Sequence, residues 1–263
     1  MQHLSWVDDP IALTTLPDVE VIVEAIGGAE GIAKALIEAA ITRGKHVVTA
    51  NKALLAEDGV ALIAKAEEAQ LRLTFEAAVG GGVPMIKALR EAMASDSVQR
   101  ITAILNGTAN FILSDMQSNG TDFQTSLEKA QALGLAEADP TLDVDGWDAA
   151  HKLNILSCIA FGYNIKLADM PVRGIREITA ADIAAAERLG YRIKLLAQAT
   201  RQVDRLQCRV EPQLVPESHP LASTSGALNL IVCENSFAGE LMLRGSGAGG
   251  EPTAAAVVAD IID

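Results

Sequence analysis

Five carboxylates and one lysine lie close together in residues 134–153, the segment GLAEADPTLDVDGWDAAHKL. Pro140 and Gly146 disfavour regular structure in its first half, which is therefore expected to be an acidic loop. The alanines and leucines after Gly146 favour a helix with one apolar face. On that helix Asp148 and Lys152 are four residues apart, so both side chains project from the same face.

This acidic segment has three interpretations. The first is a solvated loop with a surface ion pair between Asp148 and Lys152, which would contribute only about 0.2–0.5 kcal/mol. The second is a calcium loop, which is excluded because Lys152 would occupy the position that requires a bidentate carboxylate. The third is a catalytic site, in which Lys152 donates a proton, Asp148 orients it and Glu137 binds a polar substrate. Lysine suits this role because burial and neighbouring charges tune its proton affinity.

The first part of the chain alternates between strand and helix patterns, which indicates parallel βαβ units in a doubly wound sheet. Ligands of such sheets bind beyond the carboxyl ends of the strands. The glycine pair Gly27-Gly28 and the segment from Thr49 to Lys52 follow two of these strands. The predicted strands cover 19–26, 46–49 and 71–77, and the predicted helices cover 30–42, 52–70 with an interruption near Gly59, and 85–93 after three glycines.

From about Val98 the pattern changes to an α+β arrangement, which predicts a sheet with helices on one side. We expect this sheet also to build a dimer interface. Asn106-Gly107-Thr108 favours a cap before a helix. The predicted strands cover 98–105, 205–210, 227–233 and 240–244, and the predicted helices cover 109–117, 125–133, the segment from 147, 182–199 and 252–262.

Composition excludes several classes of function. The chain has 263 residues and a formal net charge of −13, which opposes binding to nucleic acid and to anionic membranes. Its three cysteines are far apart, so we expect reduced thiols rather than a zinc or redox motif. The beginning of the sequence lacks a signal-peptide pattern, and the longest apolar run, 155–161, is too short to span a bilayer. These features predict a cytoplasmic protein.

Six long motifs resemble those of the homoserine dehydrogenase family, and they occur in the family's order over nearly the whole chain. Besides the acidic segment, they are EAIGG (24–28), GKHVVTANKALLA (44–56), FEAAVGGGVPMIKALRE (75–91), ILNGTANFIL (104–113) and GSGAGGEPTAAAVVADIID (245–263). The resemblance implies an α/β fold in which a partial doubly wound parallel, Rossmann-like nucleotide domain (1–95) adjoins an α+β substrate and dimerisation domain (96–244). A glycine loop and helix (245–263) would return to the nucleotide domain.

The resemblance also implies an activity. Members interconvert L-homoserine and L-aspartate 4-semialdehyde by hydride transfer with NADP or NAD, in threonine, methionine and isoleucine biosynthesis. By position, Lys152 would donate a proton to the carbonyl oxygen, and Asp148 would orient Lys152 or the substrate. Glu137 would bind the substrate amino group, and Lys52 would stabilise charge near substrate and cofactor.

The family's ligand sets can be carried over by position as well. Gly27, Gly28, Asn51, Lys52 and Gly247 would line the cofactor cleft. A monovalent cation such as sodium would be held by the side chain of Glu76 and the carbonyl groups of Val79, Gly81 and Val83. A homodimer is the expected assembly.

One expected pattern is missing from this sequence. The glycine fingerprint of the first βαβ unit of a dinucleotide-binding domain does not occur, and the GxGxxG match at 245–250 lacks the strand and acidic residue that should follow. We therefore expect the chain to begin midway through that domain and to bind NAD(P) weakly on its own. NAD and NADP cannot be distinguished from these residues. Two alternatives remain: a non-catalytic remnant that keeps the dimerisation domain, and a metal-dependent lyase that uses Asp139, Asp143 and Asp145.

Overall fold

A parallel sheet and an antiparallel sheet organise the chain in the computed structural model, which describes residues 6–263. The parallel sheet contains β1 (Val21–Glu24), β2 (His46–Thr49) and β3 (Leu73–Thr74), side by side in that order. Its helices are α1 (Pro10–Leu13), α2 (Ile32–Thr42), α3 (Lys52–Glu68) and α4 (Met85–Lys87). The parallel βαβ arrangement expected from the alternating pattern is confirmed.

Three details of this first unit differ from the predictions. Helix α3 continues without interruption through Gly59, which is buried, and a Cβ at this position would meet Leu55 at an ordinary contact distance of 3.5 Å. Strand β3 has only two residues, because the backbone N–H of Glu76 donates to Asp260 at 2.7 Å and a 3₁₀ turn, Glu76–Ala78, follows. The helix predicted over 85–93 changes after α4 into a π turn, Ala88–Ala92.

The second sheet has five antiparallel strands, and its central strand leads into the candidate site. Its spatial order is β6, β5, β4, β7, β8. The strands are β4 (Val98–Ile104), β5 (Tyr191–Arg201), β6 (Leu206–Pro216), β7 (Leu228–Asn235) and β8 (Gly239–Ser246). The helices of this part are α5 (Gly107–Asn119), α6 (Phe123–Ala132), α7 (Thr141–Val144), α8 (Trp147–Phe161), α9 (Ala180–Arg188), α10 (Pro220–Ser223) and α11 (Gly250–Ile262), and a 3₁₀ turn covers Leu167–Asp169.

The prediction of a helix over 182–199 is wrong in its second half, which forms a strand. Helix α9 begins with a capping box between Thr179 and Asp182 and ends before Gly190, which has a φ of 78°. The chain then forms β5, which pairs with β6 along its full length from Tyr191 to Arg201. Leucine and alanine in this stretch favour a helix, but pairing with β6 and burial against the core override that local preference.

The glycine segment and helix after β8 contact the first unit. The N–H of Gly82 donates to the carbonyl of Ser246 at 3.1 Å. The ammonium of Lys87 forms ion pairs with Asp263 and, at 3.5 Å, with Asp260, both at the end of α11. These contacts hold α11 against the turn that follows β3, while the domain limits at 95 and 244 remain a prediction.

Two further expectations concern the whole described chain. All three cysteines are free, which agrees with reduced thiols. Residues 6–263 contain no helix that is both long enough and apolar enough to cross a membrane.

Candidate active site

Asp148 and Lys152 form an ion pair in the first half of α8. The helix begins after Gly146, whose φ of 88° places the chain in the left-handed region. The Lys152 Nζ lies 2.7 Å from Asp148 Oδ2, as the four-residue spacing predicts. Lys52, at the start of α3, approaches the other carboxylate oxygen, with its Nζ 3.2 Å from Oδ1. The site therefore joins the beginning of α3 to the beginning of α8.

The end of β4 supplies the remaining contacts of this cluster. The carbonyl of Leu105 accepts a hydrogen bond from Lys152 Nζ at 2.9 Å. Asn106 caps α5, because its amide oxygen accepts from the N–H of Ala109 at 2.7 Å. Its amide nitrogen donates to Asp148 at 2.8 Å and to Asp143 at 2.7 Å. The predicted cap at Asn106 thus also binds two carboxylates of the acidic segment.

The electrostatic balance keeps Asp148 ionised. Burial is the largest single influence and favours the neutral form, but the charges of Lys152 and Lys52 outweigh it, so the pKa of Asp148 lies below its ordinary value. Asp143 behaves differently, because burial dominates and raises its pKa. Burial also lowers the pKa of His151, which favours a neutral imidazole beside the cluster.

The two lysines differ in their access to a ligand. The Lys152 side chain is 11% exposed and that of Lys52 is 40% exposed. Within the described part of the chain, Lys152 Nζ has two hydrogen-bond acceptors, whereas an ammonium has three donors. One N–H of Lys152 is thus available for an oxygen atom of a ligand. A positioned ammonium can transfer a proton to an oxygen that gains negative charge.

Glu137 does not join the lysine cluster in the structure. It lies between α6 and α7, is exposed, and its carboxylate makes no hydrogen bond or ion pair within residues 6–263. The segment itself is held, because Thr108 Oγ1 donates to the carbonyl of Leu135 at 2.6 Å and Gln131 donates to the carbonyl of Glu137 at 3.1 Å. Its role in binding a substrate stays a prediction.

The predicted cofactor residues at the end of β1 form a connected loop. Buried Glu24 accepts hydrogen bonds from the N–H of Gly27 at 2.9 Å and from the hydroxyl of Thr49 at 2.5 Å. Asn51 donates to the carbonyl of Gly28 at 2.8 Å and caps α3 through its side-chain oxygen. The glycine turn and the beginning of α3 are therefore fixed to each other at the carboxyl edge of the sheet.

Gly247 lies where the two glycine segments meet. A Cβ at this position would overlap the side-chain amide of Asn229 on β7. A Cβ on Gly81 would lie 2.7 Å from the carbonyl of Gly247. Only glycine permits both approaches, so the requirement at these positions is close packing of one backbone against another.

The predicted cation ligands are only partly available. The two carboxylate oxygens of Glu76 accept from the N–H groups of Ile86 at 2.9 Å and Lys87 at 2.8 Å, so this side chain caps the helix after the glycines. The carbonyl of Val83 accepts from the N–H of Met85 at 2.7 Å. Each oxygen keeps a further lone pair, and the cation set of Glu76, Val79, Gly81 and Val83 remains a prediction.

The other acidic residues of the segment have separate partners. Asp139 accepts from the N–H of Thr141 at 3.1 Å, Asp143 binds Asn106, and Asp145 forms an ion pair with Arg176. The described residues contain no cluster of three or more histidine, cysteine, aspartate or glutamate side chains suited to a metal ion. The contacts give no support to the divalent-metal alternative.

Sequence reasoning missed three contributors to the site. They are the amide of Asn106 as a ligand of Asp148, the carbonyl of Leu105 as an anchor of Lys152, and the carboxylate of Glu24 beneath the glycine turn. Asn106 carries a usable signal, because it follows a strand and begins a helix. A backbone carbonyl carries no signal in the side-chain sequence.

Two family models match the chain. Residues 84–262 match the model described as homoserine dehydrogenase, and residues 4–76 match that of the homoserine dehydrogenase NAD-binding domain. A homoserine dehydrogenase of Neisseria gonorrhoeae is 48% identical over 98% of this chain and 59% of its own length. One from Pseudomonas aeruginosa is 47% identical over 94% of the chain and 57% of its own length. The chain thus spans less than two thirds of the length of these relatives.

Solved structures show the same similarity. A homoserine dehydrogenase from Thiobacillus denitrificans has a TM-score of 0.94 and 47% identity, covering 97% of this chain and 59% of that one. A hyperthermophilic archaeal homoserine dehydrogenase in complex with NADPH has a TM-score of 0.86 and 30% identity, covering 99% and 76% respectively.

Proposed function

Because the chain belongs to the homoserine dehydrogenase family, we propose that it forms the catalytic part of an enzyme that interconverts L-homoserine and L-aspartate 4-semialdehyde. The reaction would use NADP or NAD and would serve threonine, methionine and isoleucine biosynthesis. The observation that carries the proposal is the cluster of Lys152, Asp148 and Lys52, in which one buried carboxylate holds two ammonium groups. NADPH in the similar archaeal structure supports the cofactor.

Lys152 supplies the proton in this mechanism. When bound, the nicotinamide cofactor supplies or accepts the hydride. In the reducing direction, Lys152 gives a proton to the aldehyde oxygen as the carbonyl carbon gains the hydride, which yields the hydroxyl of homoserine. In the oxidising direction, neutral Lys152 takes that hydroxyl proton back. The carbonyl of Leu105 and the carboxylate of Asp148 aim the ammonium throughout.

Asp148 and Lys52 shape the charge around this proton transfer. Asp148 is ionised, accepts a hydrogen bond from Asn106 and forms ion pairs with Lys152 and Lys52. It therefore fixes the relative positions of both lysines. Lys52 is the more exposed lysine and lies beside the cofactor edge of the sheet, where it stabilises negative charge on substrate or cofactor. Glu137, exposed and free of competing partners in the described chain, binds the amino group of the substrate.

The cofactor cleft is assigned to the carboxyl edge of the parallel sheet. Gly27, Gly28 and Asn51 line it from one side, and Gly247 lines it from the returning segment. The rigid connection of Asn51 to Gly28 supports this assignment, because it fixes a backbone turn at the place where such sheets bind ligands. A sodium ion at the turn formed by Glu76, Val79, Gly81 and Val83 would be a structural addition to this cleft.

A homodimer through the second sheet completes the proposal. On the face opposite α5 and α8, a small apolar cluster joins Ile104, Leu196 and Leu230 to Leu221 of the short helix α10. Farther along that face Arg100 and Glu234 form an exposed ion pair, which we assign to the contact with a second copy of the chain. Sedimentation velocity of the intact protein should give the mass of a dimer, and a monomer at micromolar concentration would contradict this part.

The test of the activity is spectrophotometric. The intact protein should reduce NADP or NAD when L-homoserine is added and should not do so with L-serine, which is one methylene shorter. The alternative of a non-catalytic remnant predicts no reduction of either dinucleotide by a folded protein. Comparison of the two dinucleotides in the same assay also decides which cofactor is preferred.

A further inference from the structure

Asn229 is a fully buried polar residue on β7 with no role in the chemistry described above. Its amide nitrogen donates to the carbonyl of Leu105 at 3.3 Å. Its amide oxygen has no hydrogen-bond partner within residues 6–263. A buried acceptor without a partner is unfavourable, so the stability of the fold does not explain an asparagine at this position.

The carbonyl of Leu105 connects Asn229 to Lys152. This oxygen accepts from Lys152 Nζ at 2.9 Å and from Asn229 Nδ2 at 3.3 Å. A carbonyl has two lone pairs, so both donors bind at the same time. Leu105 lies just beyond β4, where the strand pairing with β7 has ended at Ile104. The direction of this carbonyl therefore depends on side-chain donors.

On its other side Asn229 contacts the returning glycine segment. Its amide fills the space that a side chain at Gly247 would need, and Gly247 in turn lies against Gly81. Asn229 thus stands between the carbonyl that anchors Lys152 and Gly247, which is assigned to the cofactor cleft. No other side chain of β7 donates to the carbonyl of Leu105 in the described structure.

We propose that Asn229 is a positioning residue, which fixes the Leu105 carbonyl and through it the Lys152 ammonium relative to the segment around Gly247. The proposal rests on the proposed function for its kinetic consequences. It predicts that loss of the Asn229 amide impairs proton transfer by Lys152 and leaves substrate binding unchanged.

Asn235 provides a matched control. It lies on the same strand, is buried, and its amide oxygen also lacks a partner within the described residues. Its amide nitrogen donates to the carbonyls of Cys233 at 3.1 Å and Gly239 at 3.2 Å, at the hairpin between β7 and β8. A substitution there removes the same group from the same strand without touching Leu105.

The experiment combines single and double variants in the intact enzyme. Asn229→Ala should lower kcat about tenfold, the effect of losing one orienting hydrogen bond, with little change in the KM for homoserine. Asn235→Ala should leave both constants near wild type. In a Lys152→Ala background, Asn229→Ala should cause no further loss, because it acts through Lys152. An additional tenfold loss in that background would overturn the proposal, as would a change confined to KM.

A second variant and an NMR measurement keep the proposal testable if Asn229→Ala does not fold or if the wild type shows no turnover. Asn229→Leu keeps the size of the side chain and removes the amide donor without burying a charge, and it should show the same loss if the alanine variant does not fold. The ¹⁵Nζ resonance of Lys152, assigned by its absence in Lys152→Ala, should shift in the Asn229 variant and stay in place in Asn235→Ala. If the wild type does not turn over homoserine, the proposed function fails, and this resonance alone decides the role of Asn229. An unshifted resonance would contradict it.

Discussion

Asn106 and Asp148 are joined by a hydrogen bond of 2.8 Å, although 42 positions separate them in the sequence. Asn106 also caps α5, so this contact ties the carboxylate of Asp148 to the end of the central strand β4. Asp148 in turn holds Lys152 and Lys52. The proposed geometry of proton donation therefore depends on Asn106, a residue that would not itself react.

Asp148→Asn tests this dependence. The neutral amide lacks the charge that holds both lysines, and its NH₂ group would face a donor at one of the former oxygen positions. We expect kcat to fall about a hundredfold, the effect of misplacing a reacting group by about 1 Å, with a smaller change in KM. Asp145→Asn, in the same segment but paired with Arg176, is the control and should stay near wild type. A variant altered only in KM would instead assign Asp148 to substrate binding.

Glu137→Gln tests the proposed contact with the substrate amino group. Removal of the charge weakens a charge-assisted hydrogen bond, so the KM for homoserine should rise about tenfold while kcat changes little. Glu128→Gln, an exposed substitution on neighbouring α6, should change neither constant. Steady-state kinetics over a range of homoserine concentrations separates the two effects. Loss of kcat at constant KM would require a different role for Glu137.

Gly247→Ala tests the close approach of the returning segment. The new methyl group would overlap the Asn229 amide, so the free energy of unfolding should fall by about 1–3 kcal/mol, as for other overpacked sites. Gly250→Ala is the matched control, because a Cβ there meets no atom within 4 Å and the residue begins α11. Urea denaturation should show Gly250→Ala at or above wild-type stability. Equal loss in both variants would contradict the packing argument.

Because Lys194 is buried, we expect the stability of the protein to depend on pH. This lysine is 2% exposed, and within residues 6–263 it donates only to Asn110 at 3.0 Å and the carbonyl of Thr224 at 2.6 Å; burial lowers its pKa to about 8. The unfolded state, with its ordinary pKa near 10.5, binds more protons between these values, so the contribution of Lys194 to stability rises with pH in that window.

The comparison with Lys194→Met isolates this contribution. Urea denaturation gives the free energy of unfolding of wild type and variant. From pH 8 to pH 10 this free energy should rise for the wild type relative to the variant. A difference that stays constant over this pH range would mean that the pKa of Lys194 is not depressed.

The local parts of the fold and site could be predicted, and the non-local parts could not. The contact of Asp148 with Lys152 follows from helical spacing alone, and the strand over residues 46–49 follows from a short apolar run. The contact of Asn106 with Asp148 depends on how β4, α5 and α8 pack, which no spacing encodes. Strand β5 was missed because its leucines and alanines suit a helix equally well until β6 pairs with it.

The shortening of β3 has the same kind of cause. The residues over 71–77 suit a strand, but Asp260, far away in the sequence, takes the N–H of Glu76 and diverts the chain into a turn. Glu137 is a different case. Its proposed contact is with a substrate, so neither the sequence nor the fold of the chain alone can show it.

The most direct test of the account is homoserine turnover by Lys152→Ala in the intact enzyme. We expect kcat to fall by about two to four orders of magnitude, the range for loss of a general acid and base. Dinucleotide affinity should stay within about twofold of wild type, because the contacts of Lys152 are to Leu105 and Asp148. Lys65→Ala, at an exposed site on α3, should behave as wild type. Turnover by Lys152→Ala within a few-fold of wild type would contradict the assignment of Lys152 as the proton donor.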